Sequence, residues 1–315
     1  MKETIENTIH TYMRVGTVFE VSFPDCQRTE AYYLKCLERI AGDPFYEAVE
    51  VTAVSDIRLR EKVKGILMDS GMTVAYCAQP VILKNKLNLN SFDKKERSRA
   101  VRRMKECIDE ACELGAESLS FLAGPCKKGL ESEALLYLEE SISEMCSYAQ
   151  DRRRKLQIEI EVFDYDIDKR SLIGPSRRAA ELAENLREKY DNFWILPDLS
   201  HIPQQHETIE EALAHVLPYM RRTHIGNCVL EEGSPVYGDC HPPFSHPGSS
   251  IGKKELSTYL SILADKGFLS DLERPMVSFE IKPLSDNDIE NVLGENKKIL
   301  TEAFEMLRSE QEGME

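Results

Sequence analysis

"FWILPDLSHIPQQHETIEEALAHVLPYM", residues 193–220, contains one complete structural unit of the chain. Its first part, residues 193–201, is a short aromatic and aliphatic run, which is typical of a buried strand. Its last part, residues 208–220, places apolar side chains at the spacing of an amphipathic helix. The stretch therefore predicts one strand followed by one helix, a βα unit.

The same alternation of a short apolar run and a long amphipathic stretch occurs eight times along the chain. The predicted strands cover residues 17–23, 46–54, 73–80, 118–125, 156–164, 193–201, 222–229 and 276–283. Glycines such as Gly71, Gly115 and Gly267 stand where left-handed helix ends are expected. Eight βα units are the number that closes a (β/α)8 barrel, so we predict an α/β protein with a single TIM barrel over residues 1–315.

Length, composition and charge limit the class of function. A chain of 315 residues with 42% hydrophobic residues can bury the core of such a barrel. Its 40 Lys and Arg against 55 Asp and Glu give a formal charge of −15, which repels a phosphate backbone, so we expect no nucleic-acid partner. The sequence lacks the apolar segment of a signal peptide or of a membrane helix. We therefore expect no membrane partner and a cytoplasmic location.

Polar side chains occur near the carboxyl ends of four consecutive predicted strands, where TIM barrels place their active sites. These side chains are Glu161, Asp198, His224 and Glu280. Three carboxylates and one imidazole at that distance from one another cannot all ionise without a cation between them. The sequence therefore predicts a divalent metal site, and its oxygen-rich ligand set favours Mn²⁺, with Mg²⁺, Co²⁺ and Zn²⁺ as alternatives.

Each of these residues has an ordinary structural explanation as well. A single carboxylate at a strand end usually caps a helix or forms a loop ion pair, but four such positions on neighbouring strands favour the metal site. Strand alternation turns Glu159 the same way as Glu161 but one layer deeper. We select Glu161 as the ligand because of its height at the rim. Glu159 then either pairs with an Arg or Lys inside the barrel or is a second functional carboxylate.

Four short motifs resemble those of the xylose-isomerase-like TIM barrels, and within them the sugar phosphate isomerase/epimerase group. The motifs are Glu161 with the following "VFD", "DLSH" at 198–201, "HIGN" at 224–227, and Glu280 in "VSFEIKP". The resemblance implies that the four predicted ligands hold the cation, that His201 contacts the substrate, and that two glutamates act as acid and base. These would be Glu161 and Glu280. It also implies a homodimer or homotetramer.

Residues 231–252 form a loop that is too long for an ordinary βα connection. We predict that this flap covers the site and that its Asp239 and His241 line it; the alternative is a surface loop that contacts a neighbouring subunit. Strand alternation predicts that Lys282 points inward with Glu280 and binds a substrate oxygen or phosphate. Lys169 is a weaker candidate for the same task.

Three hypotheses follow for the reaction. The first is a metal-dependent isomerase or epimerase of a sugar or sugar phosphate, which moves a proton through an enediolate. The second is a lyase that starts from the same step, similar to C-glycoside deglycosidases or keto-inositol dehydratases, with His241 as an additional acid or base. The third, an endonuclease IV-like phosphodiesterase, needs more histidine ligands and a basic face, and the charge of −15 disfavours it. The chain also departs from simple ketose epimerases, because Asp164 stands where they often carry Asn and no arginine equivalent follows His224.

Overall fold

A computed structural model describes residues 8–125, 127–152, 156–285 and 288–312, with side chains described up to residue 309. The strands are β1 (Arg14–Thr17), β2 (Ala48–Val51), β3 (Thr73–Cys77), β4 (Ser118–Leu122), β5 (Gln157–Glu161), β6 (Phe193–Leu196), β7 (Arg222–Gly226) and β8 (Met276–Glu280). The helices are α1 (Ile9–Tyr12), α2 (Phe19–Ser22), α3 (Glu30–Ala41), α4 (Ile57–Ser70), α5 (Gln79–Lys84), α6 (Lys94–Leu114), α7 (Glu131–Gln150), α8 (Ser176–Arg187), α9 (His201–Gln204), α10 (Ile209–Val216), α11 (Lys253–Asp265) and α12 (Ile289–Glu312).

The eight strands are parallel and close into a barrel in chain order. Strands β2 to β6 form one hydrogen-bonded sheet, and β7, β8 and β1 form another. Single parallel bridges join the two sheets, one between Val18 and Glu50 and another between Asp198 and His224. The fold is therefore a single (β/α)8 barrel, which confirms the predicted fold class.

The first strand lies earlier than predicted. The interpretation of residues 17–23 as a strand is wrong, because β1 ends at Thr17 and Phe19–Ser22 form the short helix α2. Gly16 lies inside the real strand, and a Cβ atom at this position would come within 2.6 Å of the Ser278 hydroxyl on β8. The glycine is therefore a requirement of close packing between β1 and β8, although glycine in sequence usually indicates a strand boundary.

The barrel interior contains a buried ion pair network below its carboxyl end. The Arg222 guanidinium lies between two carboxylates, 2.5 Å from Glu50 and 2.5 Å from Glu159. All three side chains are almost completely buried. Of the two interpretations of Glu159, the structure therefore shows the pairing with a barrel arginine.

The outer helices carry the expected end signals. The Asp56 side chain accepts hydrogen bonds from the first turn of α4, and Gly71 ends that helix in the left-handed conformation. Gly115 ends α6 in the same way. Every helix within the described ranges is too short or too polar to span a lipid bilayer.

Candidate active site

Four side chains from the ends of β5, β6, β7 and β8 converge at the carboxyl end of the barrel. They are Glu161, Asp198, His224 and Glu280, and their potential ligand atoms all lie within 4.8 Å of one another. The Nδ1 atom of His224 lies 2.7 Å from the Glu280 carboxylate and 3.3 Å from that of Glu161. Each ligand comes from a separate strand, so the rigid barrel fixes its position.

The chemistry of this group fits a divalent cation. Three carboxylates and one imidazole form an oxygen-rich donor set, which is the kind that Mn²⁺ and Mg²⁺ prefer. Glu280 Oε2 is buried and has no hydrogen-bond donor of good geometry among the described residues. A buried carboxylate oxygen without a donor is costly unless a cation or another partner compensates it.

The two glutamates have pKa values that are displaced in opposite directions. Burial and the neighbouring Glu280 carboxylate raise the pKa of Glu161. Burial also opposes ionisation of Glu280, but His241 and His224 outweigh it and hold the pKa of Glu280 below its ordinary value. A pair of carboxyl groups with separated pKa values is suited to act as acid and base.

His201 follows Asp198 by three residues and lies at the side of this centre. Its Nδ1 atom donates to the Val162 carbonyl at 2.9 Å, and its Nε2 atom lies 3.0 Å from Asp239. The ring packs on Phe163 with the centroids 4.3 Å apart. Burial opposes protonation of His201, yet Asp198 and Asp239 raise its pKa to about 10.

The loop 231–252 contributes Asp239 and His241 to the same centre. His241 Nε2 lies 2.6 Å from Asp239 and 3.6 Å from Glu280. Burial lowers the pKa of His241, but Glu280 and Asp239 outweigh this effect and raise it to about 9. The backbone of His241 is strained, because this residue has a positive φ of 49°. Its carbonyl accepts a hydrogen bond from the Lys282 amide at 2.7 Å, which ties the loop to the segment after β8.

Asp198 belongs to a second group of potential ligands as well. Asp198, His201 and His241 also place ligand atoms within 4.8 Å of one another. Since the two groups share Asp198, they form one continuous polar centre that reaches from the strand ends to the loop 231–252.

Asn227 holds this loop against the barrel. Its amide donates to the carbonyls of Pro242 and Pro243 and to the Ser249 hydroxyl at 3.2, 3.1 and 2.7 Å. Gly226, one residue earlier, leaves room for the site, because a Cβ atom there would lie 2.8 Å from Nδ1 of His241. The "HIGN" motif thus combines one potential ligand, one space-making glycine and one anchor for the loop.

The two predicted lysines differ in position. Lys169 lines the cavity above the centre, and its ammonium lies 2.6 Å from Asp239. The backbone around it is fixed by Asp164, whose carboxylate accepts hydrogen bonds from four consecutive amides, those of residues 167–170. The Lys282 side chain is exposed, and the structure does not bring it into the centre. Strand β8 ends at Glu280, so strand alternation does not extend to Lys282.

A cavity of about 200 Å³ is lined by three of the four potential ligands, Glu161, His224 and Glu280. Further charged and imidazole groups line it: Lys169, Asp239 and His241. Apolar side chains contribute to the same wall: Val18, Val21, Pro80, Leu83 and Phe163. The cavity can therefore hold a small molecule that has both polar and apolar surface.

Sequence reasoning missed two polar residues around this centre. Gln79 follows β3 and donates its amide to Glu161 at 2.5 Å and to Ser120 at 3.0 Å. Glu50 on β2 contacts His224 from below, at 3.0 Å. The only signal for Glu50 was a carboxylate in the middle of the apolar run "AVEV".

Comparisons with known proteins agree with this architecture. None of the curated proteins matches the chain. Among solved structures, a D-tagatose 3-epimerase-like protein aligns with a TM-score of 0.68 at 18% identity and covers 95% of this chain and 99% of its own. A 3-keto-D-glucoside 4-epimerase from E. coli aligns with a TM-score of 0.63 at 13% identity, over 94% and 99% of the two chains.

A further structural neighbour contains a metal. It is a xylose isomerase-like TIM barrel protein from Mycobacterium smegmatis in complex with magnesium, with a TM-score of 0.57 at 14% identity over 95% of this chain and 99% of its own. At these identities the structures establish the fold. The family model of the xylose isomerase-like TIM barrel matches residues 30–310, which is most of the sequence. The chain therefore belongs to the xylose isomerase-like TIM barrel family.

Proposed function

We propose that this protein is a divalent-metal-dependent enzyme that isomerises or epimerises a sugar or a sugar phosphate. The observation that carries the proposal is the convergence of Glu161, Asp198, His224 and Glu280 at a cavity of about 200 Å³, which the first, third and fourth of them line. The sugar epimerases among the structural neighbours support the substrate class. Mn²⁺ is the metal that we favour, with Mg²⁺, Co²⁺ and Zn²⁺ as alternatives.

A bound divalent cation in this site would act as a Lewis acid toward a substrate carbonyl and would stabilise the enediolate that forms when the adjacent carbon loses a proton. Glu161 and Glu280 are the groups that move that proton. Both carboxyl groups line the cavity, where they can remove and return a proton of the substrate. If the proton returns on the same face of the substrate but at the neighbouring carbon, the carbonyl moves and the reaction is an isomerisation. If the proton returns to the same carbon from the opposite face, that carbon is inverted and the reaction is an epimerisation.

The surrounding residues orient the substrate. Asp239 lines the cavity, where it can contact a substrate hydroxyl, and His201 holds Asp239 through a hydrogen bond at 3.0 Å. Lys169 places a positive charge at the cavity wall and is suited to a substrate oxygen or phosphate. Lys282 takes no part in this proposal because its side chain is exposed.

A lyase that begins with the same proton abstraction is the second candidate. The position of His241 favours it, because this imidazole lines the cavity and lies 3.6 Å from Glu280. A third acid or base at that place can protonate a leaving group after the first proton has been removed. Loss of a substituent, instead of return of the proton, would then complete the reaction.

The test is proton exchange in D₂O, followed by NMR. The protein is loaded with Mn²⁺, freed of excess metal, and incubated with ketoses, 3-keto-glycosides and their phosphates. Deuterium at a carbon next to the carbonyl, with the carbon skeleton intact, supports isomerisation or epimerisation. A new alkene or a released fragment supports the lyase. Absence of exchange with all substrates, from a protein that binds the metal, contradicts both reactions.

We expect the partner of this site to be a small carbohydrate, and the formal charge of −15 disfavours nucleic acid. The homo-oligomer implied by the family resemblance stays a prediction that sedimentation can test. A cytoplasmic location stays a prediction as well.

A further inference from the structure

The imidazole of His224 has a different partner at each ring nitrogen. Nδ1 faces the candidate metal centre, 2.7 Å from Glu280. Nε2 points away from the centre and lies 3.0 and 3.1 Å from the two carboxylate oxygens of Glu50. Glu50 is on β2, across the barrel from β7, and its exposed fraction is 0%. The ring is therefore held from below by a carboxylate that the proposed reaction does not use.

Glu50 is itself fixed in place. The Arg222 guanidinium contacts it at 2.5 Å, and the Cys77 thiol donates to it at 3.2 Å. Arg222 also reaches Glu159 at 2.5 Å on its other side. A buried carboxylate with a charged partner and fixed geometry can orient a neighbouring histidine.

The contacts at Nε2 indicate which ring nitrogen carries a proton. Arg222 Nη1 also lies 3.2 Å from Nε2, so this nitrogen has a donor and an acceptor nearby. Arg222 already donates to Glu50 at the shorter distance of 2.5 Å, and both oxygens of Glu50 lie closer to Nε2 than Arg222 does. Nε2 is therefore the donor to Glu50, which leaves Nδ1 as the ligand atom when the ring is neutral.

We propose that Glu50 is a positioning residue that accepts the Nε2 proton of His224 and so presents Nδ1 to a divalent cation. This inference rests on the proposed metal-dependent function and assigns a carboxylate outside the ligand group to the metal site. A purely structural alternative is that Glu50 only neutralises Arg222.

Glu159 provides the matched control, since it neutralises the same arginine at the same distance. It forms no hydrogen bond with His224 in the part of the chain that the structure describes. Removal of Glu50 and removal of Glu159 therefore each take one ion-pair partner away from Arg222. Only the loss of Glu50 removes the acceptor for His224.

The experiment measures the binding of Mn²⁺ alone by titration calorimetry to the full chain and to Glu50→Ala, Glu50→Gln and Glu159→Ala. Circular dichroism and thermal unfolding verify that each variant is folded. We expect Glu50→Ala to weaken Mn²⁺ binding about 10- to 100-fold. Glu50→Gln, whose amide oxygen still accepts the proton, restores part of the affinity and keeps the test valid if the alanine variant does not fold. Glu159→Ala binds Mn²⁺ within about threefold of the unchanged protein.

A spectrum distinguishes a change at the ligand from a general loss of stability. In protein loaded with Co²⁺, the visible absorption bands shift in Glu50→Ala and stay in place in Glu159→Ala. Equal affinity in the unchanged protein and both Glu50 variants overturns the role of Glu50 alone. Equal losses in Glu50→Ala and Glu159→Ala also overturn it, because they indicate neutralisation of Arg222. Failure of the unchanged protein to bind any divalent cation overturns the proposed function and this inference together.

Discussion

Two sets of residues line the cavity; they come mostly from different halves of the barrel and differ in chemistry. Strands β5 to β8 supply Glu161, Asp198, His224 and Glu280. The segments after β1 and β3 supply Val18, Val21, Pro80 and Leu83. The charged half places carboxyl and imidazole groups, which can move protons, on the cavity surface, and the apolar half contributes apolar side chains together with Gln79 and Cys77. We therefore expect the reaction chemistry and the substrate shape to depend on separate parts of the chain.

The apolar half also affects the charged half. Charges interact more strongly when apolar side chains replace water beside them. Val18 and Leu83 line the same cavity as Glu161 and Glu280, so they limit the water that reaches the carboxylates. We therefore expect substitutions on the charged half to change the rate of the chemical step, and substitutions on the apolar half to change substrate binding.

The largest effect should come from the charged half, in Glu280→Gln. The substitution keeps the shape of the side chain but removes one of the two proposed acid–base groups and one potential metal ligand. We expect kcat to fall by at least about 10²- to 10⁴-fold, the range typical of a lost general base, while the fold persists. Steady-state kinetics and thermal unfolding measure the two effects.

Lys282→Met is the control, because the Lys282 side chain is exposed and two residues beyond Glu280. Its activity should stay within about twofold of the unchanged protein, as is usual for a surface position. Full activity of Glu280→Gln would contradict the assignment of acid and base.

The charged half was predictable from sequence because each of its residues has a local signal. A polar side chain at the end of an apolar run is visible in a single βα unit, and the barrel brings four such ends together. Asp239 and His241 had a different signal, which was the unusual length of the loop that carries them. Family and fold are confirmed, whereas the roles of the individual residues stay proposals.

Residues whose partners are distant in sequence were not predictable. Glu50 contacts His224 across 174 positions, and no local pattern connects them. Gln79 has the same difficulty, since it reaches Glu161 from the start of α5, 82 positions earlier in the chain. The first strand was misplaced because the need for Gly16 arises only from its contact with Ser278 on β8. Long-range packing, and not local propensity, decides these positions.

A smaller effect on catalysis should follow from Lys169→Met. The substitution removes the cation that lies 2.6 Å from Asp239, and leaves the Asp239 carboxylate buried with two histidines. We expect kcat/KM to fall about 10- to 100-fold, which corresponds to about 1.4 to 2.8 kcal/mol. Steady-state kinetics test this, and Lys169→Arg, which retains the charge, should recover part of the loss. An unchanged kcat/KM in Lys169→Met would contradict the proposed role of Lys169 in substrate binding.

The apolar half is tested by Leu83→Ser, for which we expect a change in binding alone. Leu83 is 47% exposed without substrate, so a ligand can bury only part of its side chain. A loss of about 1 kcal/mol of apolar contact raises KM about fivefold and leaves kcat within about twofold. A decrease in kcat of about tenfold or more would show that the apolar half participates in the chemical step.

The last prediction concerns stability and not catalysis, and its subject is Glu20, a carboxyl group in α2 after β1 that contrasts with Glu280. Burial raises the pKa of Glu20 to about 7, and the hydrogen bond from the Tyr33 hydroxyl at 3.0 Å only partly offsets this shift. His241 and His224 hold the pKa of Glu280 low, whereas Glu20 has no imidazole or ammonium partner in the described chain. The same type of side chain is therefore shifted in opposite directions on the two halves.

This shift predicts a pH dependence of stability with a definite sign. Between pH 4.5 and about 7 the unfolded chain ionises Glu20 while the folded chain keeps it protonated, so the folded state binds more protons and the contribution of Glu20 to stability falls as pH rises. Glu20→Gln removes the titration. Because Glu20 is partly exposed, we expect the variant to gain only about 1 to 2 kcal/mol relative to the unchanged protein between pH 5 and 8. Urea unfolding across this range measures the difference in the free energy of unfolding between the variant and the unchanged protein. If this difference does not change with pH, the pKa of Glu20 is not raised by burial.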